Sequence, residues 1–422
     1  KGHEGYRPGD FLGRLGLERK YEKELRGKDG ERYLEVDVVG RVVGEFQGRD
    51  PVPPVPGRTL RLHLDTRLQA IAESTLVGRR GAVCMIDVAT GGVRVFAAAP
   101  TFDPNLFSTG IRAADWNVLN GDPERPLLNR VVQAQYAPGS IFKMISMAMA
   151  LEENLAGYNE LLPSSCTGGY RFGNRVFRCW EEEGHGRLAM EGGLIHSCDV
   201  YFYQIAERCQ MEQLAHQSRA AGLGEPTGID LPQELKGLVP TPAWMNERYG
   251  VRGWTRGALL NQIIGQGEYL VTPLQMAVYA NTLATSGVKM VPHLVASVED
   301  PDGTVQNVSS QARGRWDLPE RTMERLREAM RLVVADDEGT GRVARVQGFM
   351  PAAKTGTAEN PHGKPHSWFI GYAPADAPEV AFAVVVEAGG HGSDVAAPIA
   401  KRLLKELAPP PPPPTPIKED AS

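Results

Sequence analysis

Between Ala137 and Leu151 the chain runs APGSIFKMISMAMAL, with one charge, Lys143, in an otherwise apolar or small stretch. A helix that is apolar on every side is normally buried, so this pattern predicts a core helix started by Pro138-Gly139, with a lysine inside it. Other segments show the one-sided pattern of surface helices or the grammar of helix ends. TRLQAIAESTLV reads as an amphipathic helix. TPLQMAVYANTLATSG offers Thr272 as N-cap, Pro273 at the first helical position and Gly287 as stop, and PERTMERLREAMRLVVADDEG reads with the same grammar. GAVCMIDV and GVRVFAAA, joined by ATGG, predict an antiparallel hairpin. Strand patterns return late, in PAAKTGTAE, HSWFIGYAP and EVAFAVVVEA, before a closing helix SDVAAPIAKRLLKELA. Strands at both ends with helices between predict an α+β domain, one antiparallel sheet flanked by helices.

The first 58 residues have a different texture, charged and punctuated by Gly and Pro. GLERKYEKELRGKDG reads as a short surface helix, YLEVDVVGRVVGEF as strands, and PVPPVPGR as a stiff linker. The expected organisation is a separate module over 1–58, a main domain over 59–408, and a Pro-rich disordered tail over 409–422. With 422 residues, 42% apolar and 23% charged, the chain is long enough for a large core. Its net charge of −5 gives no reason to expect nucleic acid as a partner. No apolar run reaches the roughly 18 residues of a spanning helix. The chain opens at KGHEGYRPGDF without an initiating Met or a leader, and reads as a fragment of something longer.

The buried lysine acquires a purpose from Ser140, three positions before it. Residues i and i+3 of a helix share a face, with Cβ atoms about 5–6 Å apart. A serine hydroxyl needs a base to become a nucleophile, and a lysine serves as one only when neutral, a state that burial favours. A serine at a helix start also has free N–H groups nearby for a developing oxyanion. The S-x-x-K spacing alone is weak, because Ser286 and Lys289 repeat it in an unrelated context. Two further elements strengthen it. Ser197-Cys198-Asp199 heads another apolar helix, and Lys354-Thr355-Gly356-Thr357 lies on an expected strand, 57 and 157 residues after the preceding serine. S-x-x-K, S-x-D/N and K-T-G in this order form a known catalytic signature.

With these motifs the chain resembles the class B penicillin-binding proteins, the monofunctional D,D-transpeptidases. YAPGSIFK, IGQGEYLVTPLQMA, AAKTGTAE and HSWFIGYAP are all similar to family blocks in family order. EEEGHGRL and the S-x-D variant look most like the elongation-type branch, penicillin-binding protein 2. The resemblance implies a penicillin-binding, serine β-lactamase-like transpeptidase fold, with residues 1–58 as the end of an N-terminal pedestal. It implies that Ser140 attacks the penultimate D-Ala carbonyl of a stem peptide and that Lys143 takes its proton. Ser197 would relay a proton to the leaving amine, and Asp199 would hold Lys143 or the substrate amide. Lys354 and Thr355 would bind the terminal carboxylate, beside Gly356, and the N–H groups of Ser140 and Thr357 would form the oxyanion hole. Most relatives carry Asn where Asp199 stands, so its role is the one the resemblance leaves open. The implied partners are peptidoglycan stem peptides, β-lactams, a SEDS-type polymerase of the RodA kind, and the bacterial cytoplasmic membrane. The membrane would be reached through an anchor outside this chain, with the catalytic domain on the periplasmic side. No cofactor is implied for catalysis.

Cys166, Cys179, His185 and Cys198 cluster between the nucleophile and the end of the S-x-D motif. Three thiolates and an imidazole make a tetrahedral set for structural zinc. A Cys166–Cys179 disulfide, or plain buried thiols with His185 in a turn, are the other readings. Cys84 and Cys209 read as core residues. Trp368 and Tyr372 either line the groove beside the K-T-G strand or belong to the core, Trp180 reads as packing, and Asp336-Asp337-Glu338 as a solvated face. Against the transpeptidase stand a D,D-carboxypeptidase, a β-lactam-hydrolysing enzyme, and a β-lactam-binding sensor or scaffold without transpeptidation. Hydrolysis needs a loop glutamate for deacylation, and Glu181, Glu182 and Glu183 lie in the wrong context.

Overall fold

The computed structural model describes residue 6 and residues 10–108, 110–361 and 363–410. All but the first two residues of the expected Pro-rich tail lie outside the described residues. The main domain is built on a five-stranded antiparallel sheet. Its spatial order is Ala352–Ala358, His366–Ala373, Val380–Val386, Gly81–Asp87, Val93–Ala99. The expected hairpin over 81–99 forms, and the late strands add to it, so the sheet gathers both ends of the domain.

The sheet is covered on both faces, which explains why Val380–Val386 is buried at every position. Side chains alternate between two cores with the period of a strand. Phe382, Val384 and Val386 face the helices Thr66–Leu76 and Ala396–Leu407. Ala381, Ala383 and Val385 face the larger core, where the helix Pro273–Ala284 packs on the sheet. Every residue of that helix is buried. Its start is fixed as expected: Gln275 donates its N–H to the Thr272 hydroxyl (3.1 Å), and Thr272 N–H donates to the Gln275 side chain (2.9 Å). It stops at Ala284, earlier than Gly287, because Ser286 (φ 52°) already turns the chain out of the helix. The helix Glu320–Ala335 departs from the expected grammar. It follows Pro319 with no side-chain cap and is held instead by its buried face of Met323, Leu326, Met330 and Val333.

The N-terminal segment forms a hairpin, Leu34–Val36 with Val42–Glu45, that is exposed at almost every position. It joins the main domain through the strand Thr59–Leu62, paired to Val295–Glu299. The Tyr21 hydroxyl donates to Asp230 (3.1 Å), and Arg58 pairs with Asp300 (2.6 Å).

The nucleophile segment is not one continuous α-helix. Gly139–Phe142 forms a 3-10 turn that feeds the α-helix Lys143–Glu152. In a 3-10 turn residues i and i+3 eclipse, which keeps Ser140 and Lys143 on one side. From Lys143 to Ala150 every residue is buried, as the apolar pattern requires.

Candidate active site

Two glycines let the nucleophile turn touch the sheet. Gly139 sits at φ 59°, and a Cβ there would lie 2.4 Å from the Thr357 carbonyl oxygen. A Cβ on Gly356 would lie 2.8 Å from Ile141 Cγ2 and 3.0 Å from Trp368 Cβ. Backbone therefore meets backbone beside Ser140. Gly139 N–H donates to Gly265 O (2.8 Å), and Gln266 Nε2 donates to Thr357 O (3.1 Å). Trp368 is fully buried, and its indole N–H donates to Ala137 O (3.1 Å). It braces the nucleophile turn from below; it offers no exposed face to the groove, and Tyr372 is likewise core.

Lys143 is fully buried. Its Nζ donates to Asp199 Oδ1 (2.7 Å) and Ser197 O (2.8 Å) and lies 3.4 Å from Ser197 Oγ. Among the described residues no side-chain hydrogen bond joins it to Ser140; resting sites often tighten only around substrate. Ser197 adopts φ 52°, uncommon for a residue with a side chain, and the sharp turn aims its hydroxyl between the two lysines. Lys354 Nζ, also fully buried, donates to Ser197 Oγ (2.9 Å) and Thr355 O (3.0 Å). Burial, and then the charge of Lys143, hold the Lys354 amine well below the usual lysine range. Asp199 opens the helix Asp199–Ala206 and also accepts from Trp180 N–H (3.3 Å). Burial pushes its carboxyl above the ordinary range, with the Lys143 ammonium opposing. Three motifs far apart in sequence thus form one buried chain, Asp199–Lys143–Ser197–Lys354, behind Ser140.

Sequence reasoning missed two participants. The Thr355 hydroxyl donates to Thr340 Oγ1 (2.7 Å), and Thr340 N–H reaches Ile195 O (3.3 Å), which ties the K-T-G strand to the S-x-D loop. Gln266 holds the far end of that strand, accepting also from Glu359 N–H (3.2 Å). Gln266 sits inside the recognisable IGQG block; Thr340 carries no local signal. Asp336-Asp337-Glu338 remains a solvated face, with Asp337 paired to Arg345 (3.0 Å).

Cys166, Cys179, His185 and Cys198 come together, their ligand atoms all within 4.8 Å of one another. The Cys166 and Cys179 sulfurs each lie 3.6 Å from His185 Nδ1. All five cysteines are free thiols, so the Cys166–Cys179 disulfide is not formed. Cys84 and Cys209 are fully buried. Trp180, adjacent to Cys179, donates its indole N–H to His196 O and Ser197 O (both 3.1 Å). Its role is more than packing: it links the cysteine cluster to the loop that carries Ser197 and Asp199.

Known proteins share this fold. Residues 81–405 match the penicillin binding protein transpeptidase domain, and residues 1–62 match the penicillin-binding protein dimerisation domain. The peptidoglycan D,D-transpeptidase MrdA of Acinetobacter baumannii is 34% identical over 402 residues, covering 92% of this chain and 59% of that protein. MrdA of Escherichia coli K12 is 33% identical over 400 residues, covering 91% and 63%. This chain thus spans about six tenths of the length of these relatives. The solved penicillin-binding protein 2 of Pseudomonas aeruginosa, in complex with WCK 5153, superposes with a TM-score of 0.81 at 32% identity, covering 94% of this chain and 82% of that one. The penicillin-binding protein 2 of Helicobacter pylori, solved with MreC, gives a TM-score of 0.81 at 30% identity, covering 94% and 72%. Among the described residues no helix is long and apolar enough to cross a membrane. The expected fold is the one observed, and the chain belongs to the penicillin-binding protein transpeptidase family, on the penicillin-binding protein 2 branch.

Proposed function

We propose that this chain is a peptidoglycan D,D-transpeptidase that cross-links stem peptides through an acyl-enzyme on Ser140, and that β-lactams acylate the same serine. The observation that carries this reading is the buried chain Asp199–Lys143–Ser197–Lys354 behind the Ser140 turn. Ser140 Oγ attacks the penultimate D-Ala carbonyl while its proton passes to Lys143 in its neutral amine form. The N–H groups of Ser140 and Thr357 stabilise the oxyanion. As the intermediate collapses, the C–N bond breaks and the terminal D-Ala leaves, its amine taking a proton relayed through Ser197. Lys354 and Thr355 hold the terminal carboxylate, beside Gly356. An amine of a second stem then attacks the ester, forming the cross-link and returning the proton to Ser140. Of the two roles open to Asp199, the 2.7 Å contact favours holding Lys143.

A carboxypeptidase would share every step but the last, with water as acceptor. A stem pentapeptide incubated with an amine-bearing stem tests the choice. Release of D-Ala together with a cross-linked dimer, both lost in Ser140→Ala, is the expected result. D-Ala release without dimer at any acceptor concentration would favour the carboxypeptidase. No release at all, from well-folded protein, would favour a sensor or scaffold.

The cysteine cluster fits a structural zinc ion. Zinc bonds of about 2.3 Å to sulfur and about 2.0–2.1 Å to nitrogen, at a tetrahedral angle, place S and N roughly 3.6 Å apart. That is the separation of His185 Nδ1 from two of its thiols. The ion would fix the loop of Ser197 and Asp199 and take no part in the chemistry. Elemental analysis should find one zinc per chain, lost in Cys166→Ser with a lower melting temperature. Metal-free wild type with unchanged stability would overturn the assignment.

The whole protein works, on this reading, at the outer face of the bacterial cytoplasmic membrane. There the N-terminal module would dock a SEDS-type glycan polymerase of the RodA kind. Support comes from a solved peptidoglycan synthase complex, described as coordinating polymerization and crosslinking, that contains a chain 34% identical to this one. The bare valines of the N-terminal hairpin, Val36, Val38, Val42 and Val43, add to it. Pull-down of the polymerase should be lost when the hairpin is deleted; retention would contradict the assignment.

A further inference from the structure

The four residues of the cysteine cluster come from two different places in the fold. Cys166, Cys179 and His185 belong to a knuckle of two turns tied together by backbone. Cys166 N–H donates to Gly186 O (2.8 Å), Gly186 N–H donates back to Cys166 O (3.0 Å), and Cys179 N–H donates to Gly168 O (2.9 Å). Cys198 arrives from the catalytic loop, between Ser197 and Asp199, and its N–H donates to Gly193 O (2.9 Å). The side chains of knuckle and loop meet with their ligand atoms within 4.8 Å of one another. All three thiols are free.

Two observations single out Cys179 as the partner of Cys198. Cys179 is the most exposed of the three thiols, at 6% against 3% for Cys166 and 1% for Cys198, so a small oxidant reaches it first. Its chain is also fastened to the catalytic loop. The next residue, Trp180, donates its N–H to Asp199 Oδ2 (3.3 Å) and its indole N–H to His196 O and Ser197 O (both 3.1 Å). Cys179 and Cys198 thus sit on adjoining backbone segments, the relation that a disulfide requires. The proposed function puts this domain outside the cytoplasm, where disulfides form and persist.

We propose that Cys179 and Cys198 are a redox-active dithiol, that hydrogen peroxide converts them to a disulfide, and that the disulfide switches off acylation of Ser140. The Cys179 sulfur attacks one peroxide oxygen and the O–O bond breaks. The departing oxygen takes the thiol proton and leaves as water, and Cys179 becomes a sulfenic acid. The Cys198 sulfur then attacks the Cys179 sulfur, the S–O bond breaks, and a second water carries off the Cys198 proton. Two thiols and one peroxide become one disulfide and two waters, with two electrons passing from sulfur to oxygen. Zinc held by the same sulfurs and this disulfide exclude each other.

The switch acts through position. A disulfide holds its sulfurs about 2.0 Å apart, so closing it draws the catalytic loop onto the knuckle. That loop carries Ser197 at φ 52° and Asp199, whose carboxylate lies 2.7 Å from Lys143 Nζ. A displacement of about 1 Å at such a site costs rate on the order of 10²-fold. The inference rests on the transpeptidase reading above, which supplies the acylation that is switched.

In the test, hydrogen peroxide is added to the full chain beside a chelator, the excess is destroyed with catalase, and free thiols are alkylated. The reduced control carries the same chelator. Peptide mapping should find Cys179 joined to Cys198. Acylation by benzylpenicillin should slow by at least about tenfold and recover after treatment with a phosphine reductant. The ratio of oxidised to reduced rates should stay near one in Cys179→Ser and in Cys198→Ser, and should fall in Cys166→Ser as in wild type. Each ratio is taken within one protein, so partial misfolding of a variant cancels. No Cys179–Cys198 disulfide in wild type, or one that leaves acylation unchanged, would overturn the inference. So would a rate loss that survives both Cys179→Ser and Cys198→Ser. Failure of reduced wild type to be acylated at all would instead remove the transpeptidase reading on which it stands.

Discussion

Two groups of buried charges lie in the same domain and are built on opposite rules. In one, the Arg130 guanidinium donates to Glu387 (2.8 Å), Arg125 O (3.1 Å) and Glu124 O (2.7 Å), and the Tyr136 hydroxyl donates to the same carboxylate (2.9 Å). One fully buried cation meets one carboxylate, which the part-exposed Arg80 also reaches (3.3 Å), and the guanidinium's remaining donors are taken by carbonyls. In the other, Lys143 meets Asp199, while a second buried amine, Lys354, meets only Ser197 Oγ and Thr355 O and is held well below the usual lysine range. Balanced burial is what a structural pair needs. A buried amine without a carboxylate is costly unless something uses it, and perturbed groups gathered at one place mark function. Here that amine stands where the proposed function puts an anionic peptide terminus.

The difference can be broken from either side. The largest effect should follow Lys143→Met, with acylation by a β-lactam slowed on the order of 10³-fold, the loss of a positioned base. Replacing Asp199 as well should not restore it, as stopped-flow acylation kinetics would show; recovery in the double variant would remove Lys143 from the mechanism. Gly139→Ala drives a Cβ into the Thr357 carbonyl, so the oxyanion geometry should be lost and acylation should fall roughly 10²-fold. An unchanged rate would mean that the turn and the strand need not touch. The balanced pair should answer in stability instead. Arg130→Met leaves Glu387 only Arg80 and the Tyr136 hydroxyl and should cost about 3 kcal/mol in denaturant unfolding, while the Arg130→Met, Glu387→Met double variant should regain most of it. Equal losses in single and double variants would contradict the pairing.

The smallest effect is in pH. Burial pushes the Glu387 carboxyl up, but the hydrogen bonds from Arg130 and Tyr136 and the charges of Arg130 and Arg80 outweigh it, leaving the group below its usual range. Its folded value lies under its unfolded one, so its contribution is complete above about pH 4.3 and is lost as pH falls through the folded value. Glu387→Gln should flatten that acid limb of the stability curve; an identical limb in the variant would show that Glu387 does not titrate there.

Local chemistry was legible in the sequence wherever spacing along the chain decides it. Ser140 and Lys143 are brought together by one helical turn, and the Thr272 capping box by four consecutive residues. The apolar run of Val380–Val386 announced a strand, and its burial at every position reflects a sheet covered on both faces. What stayed hidden depends on partners that only the fold supplies. Thr340 gains its meaning from Thr355, Arg130 from a glutamate 257 residues away, and Trp180 from carbonyls of the S-x-D loop. The groove role expected of Trp368 failed for a similar reason: the register that places it opposite Gly356 turns its ring under the nucleophile segment. The 3-10 turn at Ser140 was equally unreadable, because it follows from the close approach of Gly139 to the neighbouring strand.

The central claim is that the buried lysine pair exists to make Ser140 a nucleophile. Intact-protein mass spectrometry after incubation with benzylpenicillin, followed by peptide mapping, tests it most directly. A long-lived adduct is expected on the peptide that contains Ser140 in wild type and none in Ser140→Ala. An adduct that persists in Ser140→Ala, or its absence from well-folded wild type, would contradict it.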